Sequence, residues 1–313
     1  MNQRLFLLFL LLTFATLLPA QATQSTMKSP TTIAFYLQPG VEVLDFAGPL
    51  EVFSYAGFDI FIVSKTRDPI LSQGVLKVVP DYAIDDAPAA DIIAFFGGNA
   101  TPSAEDTKVI NWLKSQDPQY YFSVCTGAFF LGEAGLLNGQ TATTFHQALD
   151  DLARRYPDTD VRRDVRFVDN DSLITTAGIS AGIDGALHLV ARLRGFNKAR
   201  SVAYFMEYDK WIPGEGLILS DENPYRSLPA RTTLAAYEGE YHNEASDTLK
   251  IRYEPRERSL VALVQESRYP LYYEAEHSFT TVDGDPVVFQ HDKKGRITGF
   301  RVGEGKGLFW RKQ

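Results

Sequence analysis

The chain has 313 residues and a formal charge of −8, with 31 Lys and Arg against 39 Asp and Glu. That balance argues against a nucleic-acid binder, because such proteins gain most of their affinity by neutralising phosphates, and no aromatic-basic stripe offsets it. A single cysteine leaves no intrachain disulfide, so stability has to come from burial, for which a chain 45% hydrophobic has ample material.

The first segment reads as a secretory signal peptide. MNQR is short and basic, LFLLFLLLTFATLL is apolar without interruption, and Ala20-Gln21-Ala22 has the small-x-small form of a cleavage site. An uncleaved anchor is the rival, since the run nearly spans a bilayer. The polar QATQSTMKSPTT that follows favours cleavage after Ala22, giving a secreted or periplasmic protein with no membrane span left.

From Thr31 to Trp211 strands and helices alternate. TTIAFYL (31–37) is the first strand, GPLEVFSYAG (48–57) a helix ended by Gly57, and FDIFIVS (58–64) a strand apolar on both faces. VLKVVPDYAIDDAP continues the sheet or an arm of it, and ADIIAFFGG (90–98) is a buried strand stopped by two glycines. SAEDTKVINWLKSQ (103–116) is a helix with Ser103 as its N-cap. YYFSV leads to Cys125, and TGAFFLGEAGLL is the next helix. After the short strand QTATT and the helix HQALDDLARRYP, a strand pair turns at Asp169-Asn170-Asp171. Two closing helices cover 179–195 and 197–210, so the domain is α/β with a largely parallel sheet covered on both faces. Residues 212–233, rich in Pro, Gly, Asn and Asp, read as a linker. From Leu234 to Gln313 short alternating runs separated by turns mark a small antiparallel all-β domain, curved or barrel-like, whose aromatics are core.

Cys125 sits where a strand turns into a helix, at the carboxyl edge of a parallel sheet, where open α/β folds place their sites. The helix N-terminus there is expected to lower the thiol pKa, and the arrangement parallels the nucleophile elbow of α/β hydrolases. The alternative is that Cys125 is core, as cysteines commonly are. An amide from Gly97 or Gly98, paired with that of Thr126, would make a two-donor oxyanion site; the rival is an ordinary tight turn. Asp45, just ahead of the helix expected at Pro49, is either a cap or a proton carrier for the thiolate. Glu51, on that helix, could orient a site residue but is more simply a surface acid. His188 reads as a packing or helix-surface histidine and Asp184 as an N-cap. His242, His277 and His291 show no metal spacing, so no metal and no cofactor is expected.

The motifs DFAGPLEVF, FGG, SVCTGAFFLGEAGLL, ATT and TAGISAGID resemble the PfpI-like group of the class I glutamine amidotransferase-like superfamily, over about Thr31 to Trp211. The likeness is to isonitrile hydratases and to the amidase-like domains of AraC-type regulators. It implies a flavodoxin-like fold with the reactive cysteine in a strained elbow, and places the hydratase roles on Cys125, Thr126 and Asp45. Peptidases of the group have His after the cysteine, where this chain has Thr126. Glyoxalase-like members place Glu near the cysteine; Asp45 is the matching position here, with Glu42 one strand position off. Relatives with Thr-Thr-His-Trp or Thr-Thr-His-Tyr correspond here to Thr143-Thr144-Phe145-His146, so the displaced His146 is a weak catalytic candidate. The β-domain stands where the AraC-type relatives carry a DNA-binding domain, which argues against transcriptional control. The resulting expectation is an exported cysteine-dependent enzyme acting on a small electrophilic carbon, with a small-molecule substrate. A non-catalytic sensor or binding protein is the alternative. Homodimer formation and a partner or envelope contact through the β-domain stay open.

Overall fold

The structure, a computed structural model, describes residues 31–303 and 307–313. The leader and its cleavage site lie outside these residues. The α/β domain is built on an eight-stranded sheet. Its strands run, from one edge to the other, Leu217–Ile218, Phe167–Asn170, Leu173–Thr176, Tyr120–Val124, Ile92–Phe95, Thr32–Tyr36, Asp59–Ser64 and Tyr82–Ala83. Every pairing is parallel except that between Phe167–Asn170 and Leu173–Thr176. Period-two alternation divides the central strands between two cores. Ile33, Phe35, Ile92, Ala94, Phe122 and Val124 face helices Val43–Tyr55 and Ala181–Arg194. Ala34, Tyr36, Ile93 and Phe95 face helices Thr107–Ser115 and Ala128–Glu133. In open α/β sheets sites form outside the carboxyl ends of the strands, and Cys125 follows one of those ends.

Several local expectations are corrected. The helix expected from Gly48 begins at Val43, so Asp45 lies in its first turn and Pro49 inside it. The early start is supported by Gln73, whose Oε1 accepts from the Val43 N–H at 3.3 Å. Pro49, the seventh residue of the helix, has no N–H to return to the carbonyl of Asp45, so the helix forgoes that bond. The helix expected over 103–116 is two, Thr101–Ala104 and Thr107–Ser115. Asp106 rather than Ser103 is the cap of the second, its Oδ1 accepting from the N–H of Lys108 at 2.9 Å and of Val109 at 3.4 Å. Asp184 is no cap either. It sits within the helix and holds Arg166, whose Nε donates to it at 2.5 Å, while Tyr208 Oη donates at 3.2 Å. His188 is fully buried and satisfied, with Nε2 2.7 Å from Asp169 Oδ2 and Nδ1 3.1 Å from Tyr225 Oη.

Tyr225 belongs to the segment read as a linker, and that segment is stitched to the α/β domain. Its Leu217–Ile218 pairs with Val168 and Asp169 at the sheet edge, and Tyr225 is buried. Beyond it, eight antiparallel strands from Gly239–His242 to Phe309–Lys312 form a closed barrel, the first strand pairing with the last. Tyr241, Phe279, Phe289 and Phe300 fill it, together with Leu234 and Tyr237 from the short lead-in helix and the turn after it. These interior aromatics are therefore packing. Among the described residues no helix is long and apolar enough to cross a membrane.

Candidate functional site

Three loops meet at the carboxyl edge of the sheet. The first is the elbow. Strand Tyr120–Val124 ends in a single 3-10 turn, Cys125–Gly127, followed by a six-residue helix, Ala128–Glu133. Cys125 has φ +59°, a left-handed conformation that costs an L-residue about 1–2 kcal/mol. Its neighbours hold it there: its N–H donates to Ala177 O at 3.1 Å, and its carbonyl accepts from Thr144 Oγ1 at 2.6 Å.

The second loop is Phe96-Gly97-Gly98. A Cβ at Gly97 would lie 2.7 Å from Asp45 Oδ2 and 2.7 Å from Cys125 Sγ, so only glycine fits between acid and thiol. Gly98 has φ +89°, and a Cβ there would meet Gly40 O at 2.4 Å. The loop is tied to the start of the Asp45 helix by the Glu42 N–H, which donates to Gly97 O at 3.1 Å. The buried amide of Gln38 donates to the carbonyls of Phe96 and Gly97 at 3.0 and 3.1 Å.

Asp45 is fully buried beside the thiol. Its Oδ2 accepts from the Gly97 N–H at 2.9 Å and its Oδ1 from the Ile179 N–H at 3.1 Å. This revises the oxyanion expectation for Gly97, whose amide is committed to Asp45. The amides that hydrogen-bond to Cys125 are those of Gly98 and Thr126. The Thr126 hydroxyl donates to Gly98 O at 3.3 Å and so joins the two loops that supply this donor pair.

The third loop is Ala177-Gly178-Ile179, within the TAGISAGID motif. Ile179 has φ +52°, an outlier for a β-branched residue, and this turn aims its N–H at Asp45 while its side chain stays exposed. The ring of Phe145 packs on Gly178, leaving no room for a Cβ there. Phe145 thus flanks the site as an apolar wall. His146, the next residue, is exposed with its ring edge-on to Phe145 and is not among the groups acting on Cys125 or Asp45. Glu51 is exposed as well. It lies six positions after Asp45, about 240° around the helix, and cannot share its face.

The electrostatics reverse the expectation of an acidified thiol. Burial, and then the Asp45 carboxylate, push Cys125 up to about 12, against the Thr126 and Gly98 amides, which stabilise a thiolate. A short helix entered through a 3-10 turn does not outweigh a carboxylate in contact. Burial also raises Asp45 to about 6, against the Gly97 amide and the Cys125 hydrogen bond. Between those values the pair carries one proton, on sulfur and shared with Asp45, and one negative charge.

A stability consequence follows for Asp45. Its folded pKa lies above the unfolded value of 3.8, so its contribution is fully present below pH 3.8 and is lost as pH rises through about 6. Relative to Asp45→Asn, the wild type should lose about 3 kcal/mol of stability between pH 3.5 and 7.5. Urea unfolding of both proteins at the two pH values measures it, and a pH-independent difference would refute the burial of a charged Asp45. Among the described residues no group of three or more His, Cys, Asp or Glu side chains is placed to hold a metal.

Residues 31–192 match the family model described as the DJ-1/PfpI family. An isonitrile hydratase from Pseudomonas putida is 35% identical over 74% of this chain and 97% of its own length. The HTH-type transcriptional regulator CdhR from Pseudomonas aeruginosa is 30% identical over 51% of this chain and 50% of its own. Among solved structures, a THiJ/PfpI family protein from Pseudomonas syringae superposes with a TM-score of 0.55 at 28% identity, covering 71% of this chain and 91% of that one. These likenesses support a related cysteine-dependent enzyme or sensor. The chain belongs to the DJ-1/PfpI family.

Proposed function

We propose that the protein is an enzyme that adds water across a small electrophilic carbon, with an isonitrile as the best-supported substrate class. The observation that carries this reading is the Cys125 thiol beside the buried Asp45 carboxylate, with the Gly98 and Thr126 amides directed at the sulfur. An isocyanide carbon needs both a proton and a nucleophile. The S–H proton passes through Asp45 to that carbon while Sγ bonds to it, giving a thioimidate, Cys–S–CH=N–R. Asp45, again a carboxylate, then takes a proton from water as the oxygen adds to the same carbon. The nitrogen accepts that proton from Asp45, the C–S bond breaks as the remaining proton of the added oxygen passes to sulfur, and the Cys125 thiol is restored as the N-substituted formamide leaves. The Gly98 and Thr126 amides stabilise charge developing around the sulfur and the reacting carbon. The hydratase similarity supports the substrate class.

Incubation with benzyl isocyanide and detection of N-benzylformamide by NMR tests the proposal. The rate should rise with pH through about 6, as Asp45 ionises, and then stay level through neutrality. A protein that binds the isocyanide without releasing formamide would favour the sensor reading, which the raised thiol and the regulator similarity support. Export is proposed on the leader sequence. N-terminal sequencing of protein from the cell envelope should begin near Thr23, and intact precursor in membranes would indicate an anchor instead.

A further inference from the structure

A cavity of about 290 Å³ lies between the α/β domain and the barrel, and it shares no residue with the Cys125 site. One wall comes from helix Phe196–Phe205 and the turns after it, through Arg200, Ala203, Tyr204 and Trp211. The other comes from the outside of the barrel, through Val261 and Tyr272. Neither domain alone would form it.

Three of its lining residues, Arg200, Trp211 and Tyr272, carry donor groups that are not all taken up. Arg200 is 6% exposed, and its Nη2 bonds Glu257 Oε2 at 3.2 Å; no other atom of its guanidinium is hydrogen-bonded among the described residues. The guanidinium lies 4.5 Å from the centre of the Tyr272 ring. Trp211 Nε1 and Tyr272 Oη are buried and have no partner among the described residues. Arginine and indole N–H groups only donate, and buried donors are nearly always paired. Two unpartnered groups and a guanidinium with one bond, all in residues that line one cavity, point to a missing acceptor.

We infer that this cavity is a second small-molecule site, for a monocarboxylate with an apolar body about the size of one aromatic ring. The carboxylate is the planar acceptor that a guanidinium fork matches best. Ala203, Val261 and the flanking rings receive the apolar part, and the volume sits at the small end of ligand pockets. A single charge fits better than two, because Glu257 already lies between Arg200 and Arg268, and Glu207 and Asp209 stand at the exposed rim.

Isothermal titration of the full chain with phenylacetate and with phenylacetamide tests the assignment. Phenylacetate should bind with a Kd below about 1 mM, and the neutral amide about tenfold more weakly or less, since an ionised acceptor makes the stronger bond. Arg200→Gln should remove the preference for the acid. Because that change breaks a buried ion pair and endangers folding, Ala203→Leu, which fills the cavity and keeps Arg200, carries the test independently. It should weaken phenylacetate at least about tenfold by occlusion, with the thermal midpoint preserved. Cys125→Ser should bind phenylacetate as the wild type does. No binding of either probe, equal binding of acid and amide, unchanged affinity in Ala203→Leu, or lost binding in Cys125→Ser would each overturn it.

Discussion

Cys125→Ala should reduce formamide production to the background rate, a loss of roughly 10⁴-fold or more, as expected when the covalent nucleophile is removed. The fold should survive. Alanine tolerates φ +59° no worse than cysteine does, and the anchors of the elbow, Cys125 N–H to Ala177 and its carbonyl to Thr144, are backbone groups that the substitution keeps. The thermal midpoint should move by only a few degrees, about 1 kcal/mol or less. Turnover that persists in Cys125→Ala would exclude the thioimidate and leave Asp45 activating water directly.

Asp45→Asn should separate two properties that normally fall together. Turnover should drop about 10²-fold or more, because the group that moves the proton twice is gone. Alkylation of Cys125 by iodoacetamide at pH 7.5 should instead become faster than in the wild type. The Asp45 carboxylate is the second cause, after burial, of the raised thiol, and an amide does not repel a thiolate. The gain should be severalfold, since each tenfold rise in thiolate is partly offset by a less basic and so less nucleophilic sulfur. The substituted side-chain amide would still offer one oxygen to the Gly97 or Ile179 N–H, which limits the disturbance of the three loops.

Much of this site was legible in the sequence. An apolar strand ending at the only cysteine, a small-residue turn and a following helix place Cys125 at a sheet edge. The strand ending in Gly97-Gly98 places a neighbouring backbone beside it, as the parallel pairing of Ile92–Phe95 with Tyr120–Val124 shows. What was not legible depends on directions that periodicity does not carry. Whether the Gly97 or the Gly98 amide is free depends on which of them Asp45 takes, and that depends on a helix starting two residues before Asp45 rather than after it. Ile179 is invisible as a site residue because its contribution is an N–H, and the left-handed φ that aims it is one that isoleucine disfavours. The sign of the thiol shift is not legible locally, because the helix start lies next to Cys125 in sequence, whereas its burial comes from other loops and the adjacent carboxylate, Asp45, lies 80 residues away. In the linker, the composition is that of a loop, and only the pairing of Leu217–Ile218 and the burial of Tyr225 show that much of it packs on the α/β domain.

The central claim is that Cys125 and Asp45 share a single proton across the neutral range. The most direct test is the rate of iodoacetamide alkylation of the folded protein from pH 5 to 10.5, in the wild type and in Asp45→Asn. A thiol pushed up to about 12 predicts a wild-type rate that still climbs at pH 10.5, and an Asp45→Asn profile displaced to lower pH. A wild-type rate that levels off below the free thiol value of about 8.5, or a profile that Asp45→Asn leaves in place, would contradict it.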